Sequence, residues 1–185
     1  LEVLHPGSTA SLESDAFKGR LIAMKPEDVP YLYWAAAGWM AAFASDPFDV
    51  NIGVGLKNAA AMMETALRLN ESYNDGAIHD FFILYYGSLP QSMGGSEEKA
   101  RYHFKKAVEI SRGLTASPYV ALASTVSVGN QNVKEFMELL NKALAIDVSK
   151  KTGNRLANII SQRKARWLLD HKDDKFLTDT NEGDK

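Results

Sequence analysis

The chain has 185 residues, of which 45% are hydrophobic and 24% are charged, and it contains no cysteine. These proportions argue for a folded globular protein, and the missing cysteines exclude disulfides, thiolate metal sites and cysteine nucleophiles. The 21 basic and 23 acidic residues give a net charge of −2 and are spread along the sequence. Because nucleic-acid binders concentrate basic residues on one face, we expect no nucleic-acid partner.

The N-terminal residues 1–24 are predicted to be a loosely ordered lead-in, because the opening stretch is rich in Ser and Gly and has no clear period. The chain opens at Leu1 without an initiator Met, so we expect a processed or trimmed form whose targeting segment has been removed. The longest apolar run, about 14 residues from Tyr31 to Ala44, is too short to cross a membrane and predicts a buried helix.

Helical patterning extends over residues 25–170, which are predicted to form one helical-repeat domain. Pro, Gly and N-capping residues divide it into about seven helices. Their approximate ranges are 28–44, 55–69, 77–86, 96–113, 118–128, 132–147 and 154–169. No stretch of four or more residues alternates between β-branched and polar side chains, so the prediction is an all-α fold without a sheet. The charged tail, residues 171–185, is predicted to be flexible.

Three of the predicted helices share an arrangement of small, large and small residues. The sets are Ala59, Met63 and Ala66; Ala100, Phe104 and Ala107; and Phe136, Leu140 and Ala143, in the last of which Phe replaces the leading Ala. The last positions of these sets are 41 and 36 residues apart. Alanines let two helices approach closely, as in the second helix of a tetratricopeptide (TPR) hairpin. The pattern predicts TPR-like helical hairpins, with a non-repeating helical bundle as the alternative.

Residues that could support catalysis are few. The glycines of Gly53 to Asn58 half-match a dinucleotide-binding loop, but Asn58 stands where the third glycine is needed and no strand precedes them. The four histidines lack the spacing of metal ligands, and no GxSxG motif is present. We therefore predict a protein that is not an enzyme and that has no catalytic residues, metal or cofactor.

A weak candidate anion site is the loop Gly94, Gly95 and Ser96, which precedes a predicted helix. Free main-chain amides at a helix N-terminus favour anions. The alternative is a turn in which Ser96 caps the helix.

The predicted binding residues are mostly aromatic, because Tyr and Trp combine an apolar ring with a polar tip that suits recognition. They are Trp34, His79, Tyr86, Tyr119 and Arg163. In stacked helical hairpins the first helix of each pair faces the concave surface, so these side chains are expected to line a groove. The alternatives are core positions for the aromatic residues, and for Arg163 a structural ion pair in place of an anionic ligand.

Four phrases in order carry a family resemblance: EDVPYLYWAAAGW at 27–39, AIHDFFILYYGSLPQSMGGSEEKARYHFKKAVEIS at 77–111, SPYVALA at 117–123 and RLANIISQRKARWLL at 155–169. Together they resemble the T component associated with tripartite ATP-independent periplasmic (TRAP) transporters, a TPR-like bacterial lipoprotein family. The resemblance covers about residues 21–169. It departs from the family in lacking the lipid-attachment cysteine, and the helices that precede this region are expected to be shortened or lost.

The resemblance implies an accessory component of a TRAP-type solute transport system. It implies binding to the periplasmic solute-binding protein and to an organic ligand in a concave groove. It also implies a periplasmic protein, lipid-anchored in its full-length precursor, that assembles as a homo-trimer. Two other functions stay open: a generic TPR scaffold for protein–protein interaction unrelated to transport, and a small-molecule hydrolase with an unrecognised site.

Overall fold

The computed structural model describes residues 15–177, and over these residues the chain is all-α, with eight α-helices and no strand. The all-α prediction is therefore confirmed. The helices are α1 (Asp15–Ala23), α2 (Val29–Ser45), α3 (Val50–Leu69), α4 (Ala77–Ser88), α5 (Glu97–Ser111), α6 (Ser117–Leu122), α7 (Val133–Leu144) and α8 (Arg155–Asp170). The chain divides within α4 into two compact units, the first ending at Phe81 and the second beginning at Phe82.

Helix α1 lies inside the range 1–24 that the sequence predicted to be loosely ordered, of which residues 1–14 lie outside the described part. Phe17 and Leu21 are one helical turn apart and are both buried, and α1 contacts α3. Residues four apart lie on the same side of a helix, so this pair gives α1 one apolar contact face. Two such residues are too few to produce a visible period, so the sequence prediction missed this helix.

In the first unit, α2 packs against α3. The carboxylate of Asp49 caps α3 by accepting hydrogen bonds from the amides of Asn51 and Ile52. Such a cap satisfies main-chain donors that have no partner within the helix. The small–large–small set of α3 is fully buried (Ala59, Met63, Ala66), as are three residues of α2 (Val29, Leu32, Ala36).

In the second unit, α5 to α8 pack in chain order, α5 on α6, α6 on α7 and α7 on α8. Ser96 caps α5 by accepting a hydrogen bond from the Lys99 amide, as the sequence predicted. The predicted fifth helix is α6 followed by a π-helical turn, Ala123–Ser127. Gly87 of α4 lies so near this turn that a Cβ there would come within 2.5 Å of the Thr125 hydroxyl oxygen.

The small–large–small sets of α5 and α7 contribute to the core of the second unit. All their members are fully buried except Phe104, which is partly buried and packs against that core. The arrangement of the helices as regular TPR-like hairpins stays a prediction.

Two side chains join α8 to the rest of the second unit. Buried Asn158 accepts a hydrogen bond from the Ala116 amide and donates one to the Leu114 carbonyl, both at 2.9 Å. The side-chain nitrogen of Gln162 lies 2.8 Å from the Ile146 carbonyl oxygen, 3.1 Å from that of Ala143 and 3.2 Å from that of Leu144, and its two N–H groups are shared among these acceptors at the end of α7. Carbonyls in the last turn of a helix lack the amide of a following turn, so Gln162 acts as a C-terminal cap supplied by another helix.

The start of the tail that was predicted to be flexible packs onto the second unit. The ring of Phe176 lies edge-to-face against Phe136 at 5.0 Å, and Gln131 accepts a hydrogen bond from the Leu177 amide and donates one to the Lys175 carbonyl. The charged residues around Phe176 hide this apolar anchor in the sequence. Residues 178–185 lie outside the described part.

Candidate functional site

A cluster of three aromatic rings lies on the first unit. The ring of Tyr33 meets that of Trp34 edge-on at 5.3 Å, and it meets the ring of Tyr73 at the same distance with a tilt of 52°. Trp34 is 67% exposed, whereas Tyr33 and Tyr73 are partly buried. Trp34 therefore presents an indole ring to solvent, supported on one side by tyrosine. We call these three residues the aromatic cluster.

The turn that positions Tyr73 has an unusual backbone. Asn74 and Asp75 both have positive φ angles, 44° and 58°, and Gly76 follows with φ 91°. Residues other than glycine seldom adopt this backbone conformation, and among them Asn and Asp tolerate it best. Strained backbone of this kind is concentrated at functional sites. The residues Asn-Asp-Gly thus allow the chain to reverse and bring Tyr73 against Tyr33 before α4 begins.

Two ionisable side chains of the first unit, Tyr33 and His79, are partly or fully buried. Burial, assisted by the negative charge of Asp80 and by Tyr73, raises the pKa of the Tyr33 hydroxyl to about 12. His79 is 1% exposed, and its Nε2 lies 3.4 Å from a carboxylate oxygen of Glu71. The predicted binding residue His79 is therefore interior, where it links the first turn of α4 to the chain that follows α3.

Tyr86 and Tyr119 belong to the second unit, and each packs against its core while keeping part of its surface exposed. Tyr86 stacks on His103 with the ring centres 5.7 Å apart, and the Lys99 ammonium lies 4.9 Å from the Tyr86 ring centre. Tyr119 meets Phe104 edge-on, and burial raises the pKa of its hydroxyl. Both residues thus combine a core contact with an accessible part.

The weak anion-site prediction for Gly94, Gly95 and Ser96 is not supported. Their amides donate to the carbonyls of Gln91, Pro90 and Tyr86, respectively. A Cβ at Gly95 would overlap the Leu89 carbonyl oxygen. These amides are used to fold the turn tightly and are not directed at an external anion, so the capping alternative describes the loop.

The predicted binding residues are thus distributed over both units. Trp34 and His79 lie in the first, and Tyr86, Tyr119 and Arg163 lie in the second. Trp34 is not a core residue, and Arg163 is exposed. The groove that would combine all five stays a prediction.

Sequence reasoning did not select Tyr33 or Tyr73 as site residues. Tyr33 shares a helix with Trp34, but Tyr73 comes from a separate turn that only the folded backbone brings near. The available signal was the Asn-Asp-Gly run directly after Tyr73, which favours positive φ angles.

Two properties of the described residues bear on the class of protein. Among residues 15–177, no three His, Asp or Glu side chains are grouped so that they could hold a metal ion. Within the same residues, none of the helices combines the length and the apolar character needed to span a bilayer.

Comparison with known proteins places the chain in a family. The family described as TRAP transporter T-component matches residues 1–176. An uncharacterized protein of Treponema pallidum (strain Nichols) is 32% identical over 180 residues, which cover 96% of this chain and 56% of that protein. The chain therefore spans little more than half the length of this relative. Since the family match extends over nearly the whole sequence, the chain belongs to the TRAP transporter T-component family.

Proposed function

We propose that this chain is an accessory component of a TRAP-type solute transport system that binds the periplasmic solute-binding protein and an organic ligand. Family membership supports the association with a transporter, because T components are accessory proteins of these systems. The family also suggests a periplasmic location.

The observation that carries the ligand proposal is the exposure of Trp34. A tryptophan in water leaves a large apolar ring hydrated, and burying such a surface contributes about 25 cal/mol for each Å² removed from water. Trp39, five residues further along α2, is instead partly buried and donates its indole N–H to the Ile52 carbonyl at 2.9 Å. The contrast within one helix supports a binding role for Trp34, since the fold does not use its ring as core.

The neighbours of Trp34 support a specific ligand class. Tyr33 meets Trp34 edge-on and meets Tyr73 at a tilt, each with ring centres 5.3 Å apart, so the aromatic cluster combines ring faces and ring edges. We propose that it accepts an organic molecule through an apolar or aromatic surface. The turn with positive φ angles keeps Tyr73 in place, so little conformational entropy is lost on binding.

The ligand proposal is tested with Trp34→Ala, and Tyr102→Ala serves as a control because Tyr102 is also an exposed aromatic residue (53%) but lies on α5. Native mass spectrometry of the protein purified from the periplasm of its source bacterium would identify a co-purifying ligand, and titration would give the Kd of that ligand. We expect Trp34→Ala to lose about 2 kcal/mol of binding free energy, roughly a 30-fold rise in Kd, as for a hot-spot residue. Equal affinity of the two variants would contradict the assignment of this site.

Self-association, as a trimer, is also proposed. The connection from α2 to α3 and the first turns of α3 support it. Helix α2 contains no charged residue in 17 positions. Beyond its end, Phe48 is 92% exposed, Val50 76% and Val54 56%. Association of identical copies would remove these apolar side chains from water, with the carboxylates of Asp46 and Asp49 at the edge of the contact. Trp34 lies near the start of α2 and Phe48 lies beyond its end, so the ligand surface and the self-association surface can be tested separately.

Sedimentation equilibrium of the chain and of Phe48→Glu tests the trimer. A trimer that dissociates in the variant is the expected result, and a monomeric parent protein would contradict the proposal.

Lipid anchoring of the full-length precursor is proposed from the family resemblance. Labelling of the precursor with a radioactive fatty acid, followed by separation of membranes from periplasm, tests it.

A further inference from the structure

Helix α8 has apolar residues on two opposite faces. One face is buried in the core of the second unit through Ala165 and Leu168. The opposite face carries Leu156, Ile160 and Trp167, which are 71%, 58% and 51% exposed. These three residues follow each other at intervals of four and seven, so they form one line along the helix. We call them the outer stripe.

Basic side chains border the outer stripe. Exposed Arg163 lies within it, between Ile160 and Trp167, and three further exposed basic residues flank it: Arg155, Lys164 and Arg166. The 16 residues of α8 contain one acidic residue, Asp170. The even spread of charge along the sequence therefore conceals a basic surface that appears once the helix is folded. An apolar line with a cationic border is the pattern of a helix that binds an acidic amphipathic partner.

Trp167 is held in place before any partner binds. Its ring stacks on His171 with centres 4.5 Å apart and planes 21° apart, and His171 Nδ1 lies 2.8 Å from the Trp167 carbonyl oxygen. The Lys175 ammonium lies 5.7 Å from the indole centre. A large aromatic ring with restricted motion loses little entropy when a partner covers it, which is typical of interface hot spots.

We propose that the outer stripe of α8 is the docking surface for the solute-binding protein, and that the matching surface of that protein has apolar side chains bordered by carboxylates. This inference rests on the proposed function. Charge decides between the possible occupants. Two-fold pairing of α8 with α8 of a second copy would bring Arg163 and Lys164 of both chains together, which costs free energy. A head-to-tail contact between copies, as in a trimer, is distinguished by measuring the self-association of the α8 variants.

A membrane surface fits the outer stripe less well. Asp170, Asp173 and Asp174 follow Trp167 and would approach anionic lipid head groups, and the stripe has only three large apolar side chains along the 16 residues of the helix. A protein surface can arrange its carboxylates opposite the basic residues and leave the acidic end of the helix in solvent.

The test is a titration of the full chain with the solute-binding protein of the same TRAP system, at low and at high salt. Trp167→Ala and the charge-reversed double variant Arg163→Glu/Lys164→Glu are compared with two controls on α5, Tyr102→Ala and Lys105→Glu. Because Trp167 and the two basic residues are exposed, all variants are expected to fold, which thermal melting checks. We expect Kd to rise about tenfold or more for Trp167→Ala and for the charge reversal, and to be unchanged for the controls. We also expect the parent protein to bind more weakly at high salt, and the charge-reversed variant to lose this dependence.

A label on the outer stripe gives an independent measurement. The chain has no cysteine, so Ile160→Cys can be labelled at a single position with an environment-sensitive fluorophore. A fluorescence change on addition of the solute-binding protein, absent from the equally labelled Lys105→Cys, supports the inference.

Other outcomes would overturn it. Binding by the parent protein that α8 variants do not weaken would reject the docking surface and leave the proposed function intact, whereas no binding by the parent protein would reject the proposed partner itself. Loss of self-association in Trp167→Ala would assign the stripe to a second copy. Binding of the parent protein, but not of Trp167→Ala, to phosphatidylglycerol vesicles would assign it to a membrane surface.

Discussion

The indole of Trp39 lies directly over Gly55, at a position where any side chain on residue 55 would overlap the ring. Trp39 is held there by the hydrogen bond from its Nε1 to the Ile52 carbonyl. We therefore expect Gly55→Ala to displace the indole and to lower the free energy of unfolding by about 1–3 kcal/mol, the usual cost of overpacking. Chemical denaturation measures this change.

Gly53→Ala on the same helix is the matched control for Gly55→Ala, because a Cβ at Gly53 meets no atom within 4 Å. Replacing a helical glycine by alanine in open space stabilises a helix by about 0.5–1 kcal/mol. Opposite signs for the two substitutions are expected. A Gly55→Ala protein as stable as Gly53→Ala would show that Trp39 does not occupy this position.

The two tryptophans of α2 are expected to respond differently to truncation. Trp34→Ala removes an exposed ring, so the free energy of unfolding is expected to change by less than about 0.5 kcal/mol. Trp39→Ala removes a packed ring and its hydrogen bond and is expected to cost about 3 kcal/mol or more. Thermal and urea denaturation of both variants tests this, and comparable losses would place Trp34 in the core.

Tyr33 is expected to make stability decrease at high pH. Its pKa is raised from the ordinary value of 10.0 to about 12 by burial and by the charge of Asp80, so the neutral phenol is favoured in the folded state. This contribution is complete below pH 10 and is lost as the pH rises towards 12, with a total of about 2 kcal/mol. Tyr33→Phe should remove this part of the decrease, while Tyr31→Phe, at an exposed position, should retain it. Urea titrations on both sides of pH 10 distinguish them.

Glu135 is expected to have the opposite pH dependence. The Arg101 guanidinium donates to both its carboxylate oxygens, at 2.6 and 3.2 Å, and Ser127 donates its hydroxyl hydrogen to one of them. These hydrogen bonds, Arg101 first, hold the pKa of Glu135 below its ordinary value of 4.5. The stabilisation is therefore present above about pH 4.5 and is lost as the pH falls through the lowered pKa.

The corresponding variant is Glu135→Gln, with Glu138→Gln as the control at an exposed position of α7. At neutral pH we expect Glu135→Gln to cost about 1–2 kcal/mol, since the pair is partly exposed. The difference from the parent protein should shrink in acid. A cost independent of pH would mean that the charge of Glu135 does not contribute.

Asn158 is expected to be essential for the attachment of α8. Asn158→Ala leaves the buried Ala116 amide and the Leu114 carbonyl without their partner, and each unsatisfied group costs about 1–3 kcal/mol. We expect a total loss of about 3 kcal/mol in the free energy of unfolding. Asn141→Ala, at an exposed asparagine of α7, should be nearly neutral. Hydrogen exchange should show faster exchange in α8 for Asn158→Ala only.

Much of the secondary structure was predictable from local features. Ser96 before two glutamates marks the start of α5, because capping depends on groups within a few residues of each other. The predicted stop at Gly113 is two residues late, since α5 ends at Ser111 and Arg112 already has a positive φ of 54°. The extra helix α1 and the docked Phe176 were not predictable in this way. Each depends on apolar contacts with residues far along the chain, and one or two anchors leave no period in the sequence.

The candidate site, too, was predictable only in part from the sequence. The sequence placed Trp34 among aromatic residues suited to binding, but its periodicity did not distinguish a core ring from an exposed one, since α2 is apolar on all sides. It likewise left the environment of Arg163 open, and the structure places this residue in solvent among exposed apolar side chains.

By itself, the sequence determined the all-α class, most helix boundaries, the buried small–large–small faces and the family. These follow from backbone capping and from side chains three or four residues apart, which are set by local geometry. Tertiary structure alone decided which aromatic rings are exposed, that Tyr73 meets Tyr33, and that α8 directs Leu156, Ile160 and Trp167 outward. Burial depends on what packs against a helix from elsewhere in the chain, so no local pattern can specify which of two apolar faces is left uncovered.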